Sequence, residues 1–359
     1  MRGNSMLRVA SVQIRYEIER TRNIWTPVWD DRYKEKILAI LDFLKGKTDC
    51  IVFPELSIPF EMLSDLKEFA DCEETLIIAG SHYVERGNID RYNQLFSHKF
   101  DENCDVRKSI CPILAPNQRI PHIEKINPAR DEDIGYDEIG LNRGELHGIF
   151  ILGDYTLGIL ICSDFLNPEL RNRILKKANL VLVPQFNSNM KRFYDLANSE
   201  FENPNNIVRA IVLTNATGKT AAGGSAVFRN VSKEDQKMLK ERFGYSYAAI
   251  ILPEKIKEEL IISINVNMDY SSERTPSSWT PDQRPIDYQL IPIIQKSEAI
   301  VDILNSINEA NDVQSCIGTV NKNKEFIGKT STILSKNTQN LENLTLEEVK
   351  EKCHTVVIQ

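Results

Sequence analysis

The chain has 359 residues, 42% of them hydrophobic, and a formal net charge of −7. That length suffices for one large α/β domain with a sizeable core plus an extension. The acidic balance, without a long Lys/Arg stripe, argues against direct nucleic-acid binding. No apolar run approaches the ~20 residues of a membrane span, and Met1–Met6 lacks the apolar centre of a signal peptide.

Strands and helices alternate along the chain. Residues 7–14 read as a first strand, and 31–45 as a helix whose apolar positions recur at helical spacing. The run Cys50-Ile-Val-Phe-Pro-Glu55 is a short strand delivering a carboxylate directly after a proline. A helix over 61–70 and a strand over 75–82 follow. Lys125 and Glu132 then lie seven residues apart around Pro128, which makes one continuous helix through both unlikely on steric grounds. Strands at 148–152 and 155–161 lead to Cys162. Asn167-Pro168 supplies an N-cap and first turn for a helix over 168–178. Beyond it come strands at 179–184, 207–214, 223–228, 247–252 and 259–266, with helices at 190–202 and 232–242. Such alternation implies sheets covered by helices, an α/β fold.

The last part differs. Residues 268–292 are rich in Ser and Pro and read as a loop. Short helices at 295–310 and 345–353 flank a polar stretch at 318–342. The expected division is therefore a domain over 1–267 and an extension over 268–359, a linker with short helices that docks or serves as an oligomerisation or partner-binding arm. The cysteines at 50, 72, 104, 111, 162, 316 and 353 are odd in number and irregularly spaced, and no Cys-x-x-Cys pair suits zinc. Reduced thiols in a cytoplasm are the expectation.

Cys162 is the most informative position. It sits where an apolar strand meets a turn and a helix start, a corner that exposes a nucleophile and frees backbone N–H groups for an oxyanion. A thiol of ordinary pKa, about 8.5, needs a base there. Glu55 stands at the C-terminal end of a strand, the edge where open α/β sheets hold ligands. Lys125 supplies a cation, and Glu132 would hold it charged and aimed.

The ordered set, Phe53-Pro54-Glu55, Lys125-x-x-Pro128-x-x-x-Glu132 and Ile161-Cys162-Ser-Asp-Phe-x-x-Pro168-Glu169, resembles the nitrilase superfamily of carbon–nitrogen hydrolases. Leu7–Gln13, Ile77–Gly80, Arg91–Asn93, Asn179–Pro184, Asn206–Gly218 and Gly223–Ser225 are similar to further segments of that family, in the same order, over about residues 7–267. The Ile77–Gly80 and Arg91–Asn93 fragments resemble its strand pair before the lysine. The resemblance implies a four-layer α-β-β-α sandwich and dimers or higher homo-oligomers. It also implies a Glu55–Lys125–Cys162 triad assisted by Glu132, and a thioester acyl-enzyme. The substrate is expected to be a small-molecule amide, carbamoyl amine or nitrile, with no metal or organic cofactor. The Ser163 N–H would join Lys125 at the oxyanion, and Asn187, with Phe186, would contact substrate. Ser163 departs from the family, which usually places an aromatic residue there.

Other readings stay open at this level. Cys162 alone would more often be packing. Lys108 rivals Lys125, and Asp131 and Asp133 rival Glu132. His122 and His147 lie near the site segments, but no cysteine-protease signature accompanies them, and Asp164 reads as a holder of the turn. An oligomerising interaction or regulatory protein, or a component of a bacterial defence system, is the alternative function. The amidase half of a glutamine-dependent synthetase is disfavoured by the short tail and the lack of a Gly-rich nucleotide loop.

Overall fold

The computed structural model describes residues 6–21, 24–84, 86–100, 108–129, 132, 141, 143–152, 155–252, 258–267, 288–295, 298–322 and 345–358. Cys104, positions 268–287 of the expected loop and 323–342 of the expected polar stretch lie outside them.

Strand β1 (Met6–Gln13) shows how the layers arise. Its pleat sends alternate side chains to opposite faces. Leu7 and Val9 enter one apolar core, whereas Ala10 and Val12 enter a second. The second core is completed by α1 (Asp31–Leu44) through Ile37, Ile40 and Leu41, and by α2 (Leu63–Cys72) through Leu66 and Ala70. The first core lies between two sheets. Across it, Ser11 Oγ meets Thr214 Oγ1 at 2.6 Å, and Gln13 Oε1 accepts from the Ser225 N–H at 3.0 Å.

The first sheet runs β17 (Val356–Ile358), β16 (Tyr288–Gln295), β15 (Leu260–Asn267), β1, β4 (Cys50–Val52), β5 (Leu76–Ile78), β7 (Ser109–Leu114), β6 (His82–Tyr83). Strand β8 (His122–Glu124) also pairs with β7. The second sheet runs β14 (Ala248–Ile251), β13 (Ala226–Arg229), β12 (Ala210–Asn215), β11 (Leu180–Gln185), β10 (Tyr155–Ile159), β9 (Ile149–Leu152). Helices α4 (Pro168–Leu175) and α5 (Lys191–Glu200) cover it through Leu170, Ile174, Phe193 and Ala197. Helix α4 lies so close that a Cβ on Gly158 would stand 2.3 Å from Ile174 Cγ2. The result is the α-β-β-α sandwich.

Local chemistry sets the helix ends. Asp30 caps α1 by accepting from the Tyr33 N–H at 2.8 Å. Asn167 caps α4, accepting from Glu169 and Leu170 with Pro168 in the first turn, as its sequence implied. Helix α6 (Lys233–Phe243) starts on Ser232 and stops at Gly244, whose φ of 79° suits glycine. Among the described residues no helix is long and apolar enough to cross a membrane.

Several expectations need correction. Arg91–Asn93 is not strand but part of helix α3 (Ile89–Leu95), which presents Tyr92 to the second core. The strand expected over 75–82 breaks at Gly80 (φ 64°), so β5 and β6 are separate. A hairpin of β2 (Glu17–Thr21) and β3 (Ile24–Val28) precedes α1. Residues 288–292 are strand rather than loop. Strand β16 pairs antiparallel with β15, and β17 pairs parallel with β16. The expected boundary at 267 thus falls between neighbouring strands of one sheet. Helices α7 (Glu298–Glu309), α8 (Val313–Lys322) and α9 (Leu346–Lys352) enclose a third small core of Ile303, Ile307, Cys316, Val320, Val349 and Cys353.

Because β16 and β17 extend the sheet, a chain ending at residue 267 is expected to expose the edge of β15 and the Ile291 and Ile293 sites on the second core. It should melt lower and aggregate, which differential scanning calorimetry and light scattering would reveal. Unchanged melting and a monodisperse product would show that the added strands carry little of the stability.

Candidate active site

Strands β1, β4 and β5 run parallel, as do β10, β11 and β12 in the other sheet. The residues singled out in the sequence emerge beyond these strands' C-terminal ends, where open α/β sheets hold ligands. Glu55 follows β4, Cys162 follows β10, and Asn187 follows β11. A cavity of about 730 Å³ is lined by Glu55, Lys125, Glu132, Cys162 and Asn187 together.

Glu55 is placed by a tight crossing. The segment after β4 bridges Glu55 to Ser81, and Leu56 takes a positive φ of 59°. Gly80 lies directly against it: a Cβ there would stand 1.9 Å from the Pro54 carbonyl oxygen. The Tyr16 hydroxyl donates to the Glu55 carbonyl, and Glu55 Oε2 accepts from the Phe186 N–H at 3.1 Å.

Lys125 follows β8, and its side chain is 1% exposed. Its Nζ lies 2.6 Å from Glu55 Oε1 and 2.7 Å from Glu132 Oε2. Burial alone would lower its pKa, but Glu132 and Glu55 outweigh that and hold the ammonium well above its ordinary range. The rival Lys108 pairs with Glu124 at 3.0 Å instead. Asp131 and Asp133 lie outside the described residues.

The two carboxylates have different surroundings. Glu132 accepts from the Ala129 N–H at 2.6 Å and from the Tyr83 hydroxyl at 2.7 Å. Although burial pushes it up, Lys125 and these donors hold it below the ordinary glutamate range. Glu55 is raised, by burial first and by the Glu132 charge, with Lys125 opposing. One carboxylate is thus kept ionised while the other is fitted to exchange a proton, as like charges at one site require.

Cys162 occupies the corner with φ 45°, a left-handed conformation that non-glycine residues seldom adopt. A 3-10 turn over Cys162–Leu166 leads into α4. Its sulfur accepts from Asn187 Nδ2 at 3.2 Å. Burial, then the Glu55 charge, raises the thiol pKa well above its ordinary value. The resting group is therefore a protonated thiol beside a basic carboxylate.

Asp164, read from the sequence as a holder of the turn, also ties the lysine segment to the cysteine turn. Its Oδ1 accepts from the backbone N–H groups of Ile126 and Asn127, at 3.1 and 2.7 Å, and from Asn127 Nδ2 at 3.1 Å. Burial pushes its carboxyl up to about 6 against those donors. Ser163 turns its hydroxyl to the Asn127 carbonyl, so its side chain serves the same junction. Asn187 is fixed in turn by Asn215, whose Oδ1 accepts from the Asn187 N–H at 2.8 Å. His122 stacks on Phe100 at 4.9 Å, burial lowering its pKa to about 4, and His147 Nδ1 lies 3.2 Å from the Glu145 carbonyl oxygen. Among the described residues no cluster of three or more His, Cys, Asp or Glu is disposed to hold a metal ion.

Sequence reasoning missed Tyr16, Tyr83 and Asn215. Nothing in the spacing of Tyr16 or Tyr83 marks them, because their roles depend on hydroxyls reaching across the fold. Asn215 lay inside a segment already noticed for its resemblance, but nothing in its spacing marked a role.

Comparison with solved structures finds the same fold in nitrilase-superfamily proteins. An amidase from Nesterenkonia sp. superposes with a TM-score of 0.50 at 15% identity, covering 77% of this chain and 96% of that one. Saccharomyces cerevisiae Nit3, a member of branch 10 of the superfamily, gives 0.50 at 18% identity, covering 73% and 90%. No protein-family model matches the chain, and no curated protein matches it. At these identities the likeness is one of fold: the chain has the nitrilase-superfamily fold that its ordered motifs implied.

The crossing at Gly80 gives a direct test of how Glu55 is placed. Gly80→Ala combines a positive φ with a backbone collision, so a loss of roughly 2–4 kcal/mol is expected in urea unfolding. A loss below about 0.5 kcal/mol would mean that the Pro54–Glu55 segment gives way freely.

Proposed function

We propose that this chain is a cysteine hydrolase acting on non-peptide carbon–nitrogen bonds. The observation that carries the reading is Lys125 Nζ between Glu55 and Glu132, at 2.6 and 2.7 Å, in the cavity that also holds Cys162. Glu55 takes the thiol proton as sulfur attacks the carbonyl carbon of an amide or carbamoyl amine. Negative charge develops on the carbonyl oxygen. Lys125 and the Ser163 N–H, the first amide after the nucleophile, are the groups assigned to stabilise it. The C–N bond then breaks and Glu55 returns the proton to the departing amine or ammonia, leaving a thioester on Cys162. Water, deprotonated by Glu55, attacks the thioester and releases the acid, and the proton passes back to sulfur. A nitrile carbon accepts the same attack, and water must then add twice to reach acid and ammonia.

Each residue outside the triad has a place in this scheme. Glu132 remains ionised and keeps Lys125 charged while Glu55 cycles. Asn187 donates to the sulfur and steadies it as charge grows there. The alternative of a purely interacting or regulatory protein would be favoured by an obstructed site. The cavity reaching Cys162 instead favours the hydrolase.

Intact-mass analysis with iodoacetamide tests the nucleophile. Cys162, though buried and protonated at rest, can pass its proton to Glu55 as it attacks, so it is expected to be modified faster than exposed Cys72, which has no such base, and Cys162→Ala to lose that fast adduct. Glu55→Gln should slow amide turnover by about 10²-fold or more, as expected for removal of a general base. If Cys162 labels no faster than Cys72 and no amide releases ammonia, the hydrolase reading fails.

The pH profile follows from the same shifts. Below its pKa Glu55 is protonated and cannot act as base, so kcat/KM should fall on acidification with a midpoint above the ~4.3 of free glutamate. Lys125 is held above its ordinary range, so its loss of charge should cause no decline below about pH 10. An alkaline limb centred near neutrality would contradict that assignment.

A further inference from the structure

The β2–β3 hairpin stands between β1 and α1, and it forms one wall of the cavity. Its register pairs Ile18 with Pro27 and Arg20 with Trp25. Strand alternation therefore places Ile18, Arg20, Trp25 and Pro27 on one face. Pro27 is buried, while Ile18 and Trp25 are half-buried and line the cavity. Tyr16, Leu56 and Phe186 also line the cavity, with the Tyr16 and Phe186 rings 5.6 Å apart. Strand β3 packs on β6, the strand of Tyr83, and the exposed Glu17 and Lys219 side chains approach to 3.7 Å. The cavity thus combines the ionisable groups Glu55, Lys125, Glu132 and Cys162 with apolar side chains and with the charged residues Arg15, Glu17 and Lys219.

We infer that this hairpin sets the substrate class, selecting amides whose acyl group carries an extended apolar body, aromatic by preference, with Ile18 and Trp25 as specificity-determining residues. The inference rests on the hydrolase reading above and narrows it. Acetyl-sized groups fill a small part of about 730 Å³, a volume within the ~300–1,000 Å³ that suits drug-sized ligands. A larger apolar acyl group would cover the half-exposed faces of Trp25 and Ile18 and displace water from them. A flat ring would meet Trp25, Tyr16 and Phe186, whose faces and edges favour aromatic partners. A charged acyl end held against the Trp25 and Phe186 rings would lose hydration there.

The test measures ammonia release from acetamide, succinamate and 3-phenylpropanamide by wild type, Trp25→Ala and Trp25→Phe. Wild type is expected to favour 3-phenylpropanamide over acetamide at least tenfold in kcat/KM, since each methylene in an apolar pocket is worth about tenfold or more. Trp25→Ala should cut that ratio at least tenfold, chiefly through KM, and Trp25→Phe should retain most of it. Ile18→Ala gives an independent second variant should Trp25→Ala fold poorly. Equal use of acetamide, a preference for succinamate, or a loss in Trp25→Ala shared equally by all substrates would overturn the inference and leave the hydrolase reading standing. If wild type releases ammonia from none of them and Cys162 forms no acyl adduct, both fall together.

Discussion

A single buried ammonium organises the site. Lys125 is 1% exposed at its side chain, and an ammonium so far from water persists as a cation only if close opposite charges replace its hydration. Glu55 and Glu132 do so from two parts of the chain, one beyond β4 and one in the turn after residue 129. Removing either carboxylate would leave a charge imbalance in a dry place, a larger effect than loss of a surface ion pair. This explains why so much nearby structure is committed to orientation. Tyr83 and Ala129 hold Glu132, Phe186 holds Glu55, and Asp164 fastens the backbone after Lys125 to the cysteine turn.

The sandwich makes the convergence possible. Each sheet contributes parallel strands whose C-terminal ends open on the same cavity. The first sheet brings the carboxylate and lysine, and the second brings the thiol and the Asn187 amide. The polar contacts between sheets, Ser11 to Thr214 and Gln13 to Ser225, fix one sheet's position relative to the other. A sliding apolar interface would leave the thiol–carboxylate alignment unspecified. Buried polar contacts made at defined distances restrict that freedom.

Much of this was legible in the sequence because the chemistry is concentrated in short local signals. A strand, a thiol and an Asn-Pro helix start are contiguous at Cys162, and Glu55 follows its strand after a proline. The Lys125–Glu132 spacing survives as a turn that folds both onto one ion cluster. What was not legible depends on long-range partners. Strand β16 carries Pro292 and follows a Ser/Pro-rich stretch, so its apolar residues lacked the context that β15 supplies by pairing. Arg91–Asn93 could be read as extended until Tyr92 was seen packing on Phe96 from a helix. The β2–β3 hairpin mixes charged and apolar residues over short strands, and only its pairing brings Ile18 and Trp25 together at the cavity.

The ionisation pattern bears on how reactivity is restrained. A preformed thiolate reacts with any passing electrophile, and its nucleophilicity falls as its pKa falls. Here burial and the neighbouring Glu55 charge keep the proton on Cys162. In the proposed hydrolysis, charge on sulfur would grow only as Glu55 receives that proton, and Lys125 would then face the new charge as well as Glu132. Proton transfer and carbon–sulfur bond formation would thereby be coupled within one electrostatic cluster whose net charge does not change. The positive φ at Cys162 belongs to the same arrangement. It turns the chain at the first residue of the 3-10 segment, with the sulfur lining the cavity. Strain at that corner is sustained because the flanking strand and the capped α4 helix over-determine its geometry. A thiol placed elsewhere on the same strand would have neither the base nor the turn.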